Sequence, residues 1–233
     1  MYKVERAIIL AAGKGNRMRP LTDQIPKPLV EVNGQRMIDS VIKALHANGI
    51  TEIYIVVGYL KEQFQTLCEE YENITLIENP YYTTCNNISS LYVAREHLHD
   101  VIILDGDQLI FNREILDPYF EKSGYNAVWT DAYTNEWLLT VSDNTVVGCS
   151  RNGGQAGWQL YSISRWNTQD GHRLKTHIEK TFTPDSQLYW DDIALFCFPE
   201  EYSLGIKEMH RNDIVEIDTM EELKLIDKKY NIN

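Results

Sequence analysis

Between Leu10 and Lys27 the chain gathers residues suited to holding a polyphosphate. The apolar run Ile8–Leu10 gives way to Ala11 and Ala12, then Gly13 and Gly15, while Lys14, Arg17, Arg19 and Lys27 supply cations. Glycines let a backbone approach a ligand closely and present its N–H groups. Guanidinium and ammonium groups beside such a loop neutralise phosphate oxygens. Leu10, Ala11, Ala12, Gly13, Lys14 and Gly15 are therefore the expected nucleotide contacts. Two other phosphate loops do not fit. In a G-x-G-x-x-G turn the third glycine would fall at Met18, and the G-x-x-x-x-G-K-[ST] spacing is absent.

A second constellation is acidic. Leu104-Asp105-Gly106-Asp107-Gln108 follows the apolar run Val101–Leu104, and Asp218 follows Val215 in the sequence E-I-D-T. Carboxylates at separate strand ends can share one Mg²⁺ and bridge phosphates. The competing reading of Asp218 is a helix cap ahead of Thr219–Lys229, with Glu221 and Glu222 in the first turn. The chemistry expected is in-line attack of an acceptor phosphate on the α-phosphorus of a nucleoside triphosphate. Such a step needs positioning and charge neutralisation. Arg17, Lys27 and Asp107 are the expected catalytic residues, Arg17 on the leaving pyrophosphate and Lys27 on the α- and acceptor phosphates. Pro26 and Pro28 restrict the backbone around Lys27. No Ser/His/Asp or Cys/His pattern suggests a covalent intermediate.

Aromatic and acidic residues concentrate at Asn79–Tyr82, Thr134–Trp137 and Leu188–Asp192. Trp137, Tyr189 and Trp190, with Glu136 and Asp191 or Asp192, could box a quaternary ammonium, since each ring face contributes about 0.5–2 kcal/mol. Packing of the same rings into a core is the competing reading, and the residues alone favour it.

The elements that must position these groups alternate in the first half. Strands are expected at Val4–Leu10, Glu52–Val57, Ile74–Ile77 and Val101–Leu104, with helices at Met37–Asn48, Leu60–Glu70 and Ile88–Leu98. That order predicts an α/β fold with a Rossmann-like, doubly wound, mostly parallel sheet, whose ligands gather at the carboxyl ends of the strands. The second half predicts strands at Tyr125–Thr130, Trp137–Val141, Val146–Ser150 and Trp158–Ser164. A helix at Thr168–Lys180, a loop at Thr181–Trp190 and a closing helix at Thr219–Lys229 follow. Residues 1–233 read as one domain, in which residues 126–190 form an acceptor-binding subregion.

Composition narrows the classes. The net charge of −12 disfavours nucleic acid and anionic membrane as partners. No apolar run is long enough to span a bilayer and no secretory h-region follows Met1, so a cytoplasmic location is expected. Cys68, Cys85, Cys149 and Cys197 are scattered, as free thiols in a reducing compartment would be, and the six histidines form no metal motif.

The pattern L-A-A-G-x-G-x-R-M-x-P-L-T followed by P-K-P resembles the sugar-nucleotide pyrophosphorylase and related nucleotidyltransferase superfamily. Further segments extend the resemblance: V-G-Y-L-K-E-Q-F at Val57–Phe64, N-N-x-x-S-L-Y at Asn86–Tyr92, T-N-E-W, Y-W-D and E-I-D-T. Together they resemble the bacterial CTP:phosphocholine cytidylyltransferases along essentially the whole chain. The resemblance implies the nucleotide-diphospho-sugar transferase (glycosyltransferase-A-like) fold and synthesis of CDP-choline from CTP and phosphocholine. It also implies Mg²⁺ on Asp107 and Asp218, Asn87 and Asp105 near the nucleotide, and Trp137 and Trp190 around choline. Asn152–His177 does not align with the family, and oligomeric state stays open. The alternative acceptors are 2-aminoethylphosphonate and a sugar 1-phosphate; a non-catalytic nucleotide or choline sensor is the alternative of another class.

Overall fold

The computed structural model describes residues 1–183 and 185–231. Pro184, within the expected loop 181–190, and the last two residues of the expected domain lie outside the described residues. Strand β1 (Arg6–Ala11) is apolar from Ala7 onward because both its faces are covered. It is followed along the chain by α1 (Met37–Ala47), β2 (Glu52–Val57), α2 (Gln65–Glu70), β3 (Ile74–Glu78), α3 (Ile88–Val93) and β4 (Val101–Asp105). The parallel strands lie in the order β3-β2-β1-β4, so the chain reverses its direction of winding between β1 and β4. That reversal opens a crevice at the strands' carboxyl ends, where Leu10 stands beside Asp105.

Alternation along β1 shows the double winding. Ala7 and Ile9 pack with Ile38, Val41, Ile42 and Leu45 of α1. Ile8 and Leu10 point the other way, toward Ile88 and Leu91 of α3 and toward Leu174 and Ile178 of α4 (Thr168–Phe182). Asn167 caps α4, its side chain accepting the Asp170 N–H at 2.9 Å.

Among the described residues, the second half extends the sheet to nine strands. Strands at Gly124–Thr130, Leu138–Ser142, Thr145–Ser150 and Gly157–Trp166 match the four expected, each shifted by a residue or two. The last of these pairs antiparallel with β4, so the parallel half continues into an antiparallel one. Several short elements carried no sequence signal, among them strands Gln108–Ile110 and Gly205–Glu208 and a π-helical turn at Ile193–Cys197. The expected helices at 60–70 and 88–98 are mixed, each combining an α segment with a 3₁₀ turn. All four cysteines are free, and no helix among the described residues is long and apolar enough to cross a membrane.

Candidate active site

The crevice holds a cavity of about 460 Å³. Leu10, Ala11, Ala12, Gly13, Gly15, Arg17, Lys27, Asn87, Asp105, Asp107 and Asp218 line it, joined by Asn16, Pro28 and Ser90. The loop that builds its floor depends on Gly15, whose φ of +61° lies in the left-handed region. A Cβ there would stand 3.0 Å from Lys27 Cβ and 3.1 Å from Thr22 Cγ2, so the glycine also makes room for the lysine. Thr22 donates from Oγ1 to the Gly15 carbonyl at 2.8 Å and pins the turn.

Met18, where a dinucleotide loop would carry glycine, is fully buried with Val30, Val32, Met37, Ile217 and Leu223. That anchor leaves the neighbouring Arg17 facing outward, where it pairs with Asp218 Oδ1 at 2.8 Å. The Lys27–Leu29 turn between prolines sets the Lys27 side chain inward at 9% exposure. Its ammonium donates to Asp107 Oδ2 at 2.5 Å and to Asp218 Oδ1 at 2.6 Å. Burial alone lowers the Lys27 pKa, but the two carboxylates outweigh it and hold the ammonium charged. Asp218 is likewise pulled below its ordinary value: burial raises it, and Lys27 and Arg17 more than offset that rise. Burial followed by repulsion from Asp107 pushes Asp105 well above the carboxylate range.

The competing reading of Asp218 as a helix cap is resolved one residue away. Thr219 caps α5 (Met220–Ile226) in a capping box with Glu222. Glu222 Oε2 accepts the N–H groups of Asp218 and Thr219 at 2.7 and 2.8 Å, which fixes the backbone and leaves the Asp218 carboxylate to the cavity.

No group of three or more His, Cys, Asp or Glu side chains is arranged as a metal cage among the described residues. Mg²⁺ needs only one or two protein carboxylates when phosphates complete its shell. The donor set at Asp107 and Asp218 suits that ion, and a cationic ammonium already sits between the two groups. Glu216 is a further acid close to Asp107, outside the cavity lining. Burial, then Asp107, pushes its carboxyl up to about 7, and Gln108 Nε2 donates to it at 2.8 Å. Glu216 ends the short strand Ile214–Glu216 and Asp218 lies two residues beyond it.

Outside the cavity, the expected groups scatter more. Lys14 does not line it and stands 6.0 Å from the centre of the Tyr82 ring. Asn87 Oδ1 accepts the Trp190 N–H at 2.9 Å, which leaves its amide N–H groups for the cavity and ties that wall to the 188–192 segment. Trp137 meets Tyr189 edge-on at 5.7 Å. Trp190 does not complete their box: it is 3% exposed, its ring packed 6.1 Å from both Tyr125 and Trp166. Phe196, edge-on to Trp137 at 5.6 Å, supplies the further ring. Glu136 is exposed on the turn before Trp137, its N–H donated to Thr134 Oγ1 at 3.1 Å.

Asp191 lies against Tyr125, and Asp191 Oδ1 and the Tyr125 hydroxyl are both buried. Burial pushes the Asp191 carboxyl up to about 7. A carboxyl raised in the folded state weakens folding as pH climbs from the ordinary carboxylate range to that value. Asp191→Asn is therefore expected to raise the melting temperature at pH 8, with the gain vanishing below about pH 4. Thermal melts of both proteins across that range check this; an equal gain at every pH contradicts it.

The model of the MobA-like NTP transferase domain matches residues 7–158. A 2-aminoethylphosphonate cytidylyltransferase of Lancefieldella rimae is 36% identical, over 96% of this chain and 92% of its own. The choline-phosphate cytidylyltransferase of Streptococcus pneumoniae is 34% identical, over 96% of this chain and 97% of its own. The solved structure of CTP:phosphocholine cytidylyltransferase from Streptococcus pneumoniae superposes with a TM-score of 0.88, covering 97% of this chain and 99% of that one at 34% identity. The inositol-1-phosphate CTP transferase of T. maritima, at 16% identity and a TM-score of 0.78, shares the fold.

Proposed function

The chain belongs to the MobA-like NTP transferase family and, within it, to the cytidylyltransferases, and from that membership we propose that it joins CTP and phosphocholine into CDP-choline and pyrophosphate. The observation that carries this reading is the full-length likeness, in sequence and structure, to the pneumococcal choline-phosphate enzyme. The cavity's chemistry agrees with it. An acceptor phosphate oxygen attacks the α-phosphorus, a P–O bond forms in line, and the α–β bridging bond breaks to release pyrophosphate. Lys27 neutralises the charge shared by the α-phosphate and the attacking oxygen, and Arg17 receives the leaving pyrophosphate. Mg²⁺, held by Asp107 and Asp218, would supply Lewis-acid polarisation of the phosphate oxygens. The free amide N–H groups of Asn87 suit the O2 and N3 acceptors of cytosine.

The acceptor is the finer part of the proposal. The Trp137 ring beside Tyr189 and Phe196 offers apolar faces that a trimethylammonium group fills and a sugar does not. A second reading, 2-aminoethylphosphonate, draws on the relative from Lancefieldella rimae. A primary ammonium is smaller and better hydrated, and it gains less from ring faces than from a carboxylate. Trp137→Ala is therefore expected to raise KM for phosphocholine by about tenfold, the size of one desolvated cation–π contact, with little change in KM for CTP. Steady-state kinetics varying each substrate in turn tests this; equal losses for the two would remove the aromatic argument for choline.

A further inference from the structure

The aromatic cluster of Trp137, Tyr189 and Phe196 already contains a cation. The Arg151 guanidinium lies 4.0 Å above the Phe196 ring centre and 5.7 Å from that of Trp137. It is anchored by Asp192, whose Oδ1 receives an Nη2 hydrogen bond at 2.5 Å and whose side chain is 3% exposed. The other Asp192 oxygen accepts the Tyr189 N–H at 2.9 Å, which fixes the carboxylate relative to the rings. Ring faces backed by a buried carboxylate are what a weakly hydrated cation requires, and guanidinium and trimethylammonium are both of that kind.

We propose that Arg151 is the resident cation of the acceptor's ammonium site, holding the face of Phe196 and Trp137 until the substrate's own cation displaces it. This rests on the reading of the aromatic segment as the acceptor site. Arg151 opens the turn after strand Thr145–Ser150 and its side chain is 44% exposed, so it has a path to solvent without unfolding the strand. Departure without replacement would leave Asp192 buried and bare, at a cost of several kcal/mol. The guanidinium therefore yields to another cation and not to a neutral group, which selects a cationic acceptor over a sugar phosphate. Its occupancy also lowers the apparent affinity for phosphocholine by the fraction of sites it fills.

Removing the resident cation should then improve binding, where loss of a merely structural residue would impair it. Arg151→Met keeps much of the aliphatic stem and deletes the charge. It is expected to lower KM for phosphocholine roughly fivefold relative to KM for CTP, about one cation–π contact. Trp137→Ala is measured alongside. An unchanged or raised phosphocholine KM in Arg151→Met, while Trp137→Ala raises it, overturns the resident-cation role. No effect of either variant on phosphocholine instead removes the aromatic acceptor site itself. Should Arg151→Met fail to fold, the wild-type chain decides. The arginine Nε–H resonance assigned to Arg151 by its loss in Arg151→Lys should shift with tetramethylammonium or phosphocholine and not with inorganic phosphate. A resonance indifferent to both cations overturns the proposal.

Discussion

Replacing Lys27 with Met is expected to reduce kcat by about 10²–10³-fold, the usual effect of deleting one preorganised charge at a developing oxyanion. The lysine is placed for that effect by the fold. Its backbone is restricted by two prolines, its stem fills the space left by Gly15, and its ammonium reaches carboxylates from two strand ends. Met preserves the stem, so the folded state should survive. The Asp107 and Asp218 carboxylates lose the cation between them, and stability should fall most at low ionic strength, where their repulsion is least screened. Rapid-quench kinetics with CTP and phosphocholine would read kcat, and thermal melts at two salt concentrations would read the repulsion. Loss of activity together with collapse of the fold at every salt concentration would assign Lys27 to structure alone.

Asp107→Ala is expected to abolish the dependence of turnover on Mg²⁺ and to reduce the rate at saturating Mg²⁺ by about three orders of magnitude. Asp107 follows the Asp105-Gly106 turn, whose Gly106 N–H is donated to the Leu10 carbonyl at 3.0 Å. A Cβ on Gly106 would meet Ile9 Cγ2 and Pro28 Cβ at 3.2 Å, so the turn sits tightly over β1 and aims Asp107 with little freedom. Titration of initial rate against Mg²⁺ in wild type and variant measures both effects. A variant with full activity and the wild-type Mg²⁺ curve would refute the assignment of Asp107 to the metal.

How far the sequence could be read depended on the kind of signal. β1 and β4 are buried on both faces, so their apolar runs stand out, and the glycine, proline and cation spacing of residues 10–28 is local. The structure brings Gly13, Gly15, Arg17, Lys27 and Pro28 of that stretch to one cavity with Asn87, Asp107 and Asp218, and leaves Lys14 and Arg19 outside its lining. The pairing of Lys27 with Asp218 spans 191 positions and follows only from the order in which the strands assemble. The acceptor side was harder because an aromatic residue in the sequence does not say which side of the backbone it faces. Trp137 and Tyr189 stay at the surface of the cluster, whereas Trp190 turns into the core against Trp166. Phe196 and Arg151 enter the cluster through a π-helical turn and a strand end, neither of which has a sequence periodicity.

The central claim is tested most directly by pyrophosphate release from each of the four ribonucleoside triphosphates with Mg²⁺, crossed against phosphocholine, 2-aminoethylphosphonate and glucose 1-phosphate. Release from CTP with phosphocholine alone is the expected result. Release confined to CTP with 2-aminoethylphosphonate, or release from another nucleotide with phosphocholine, would contradict it.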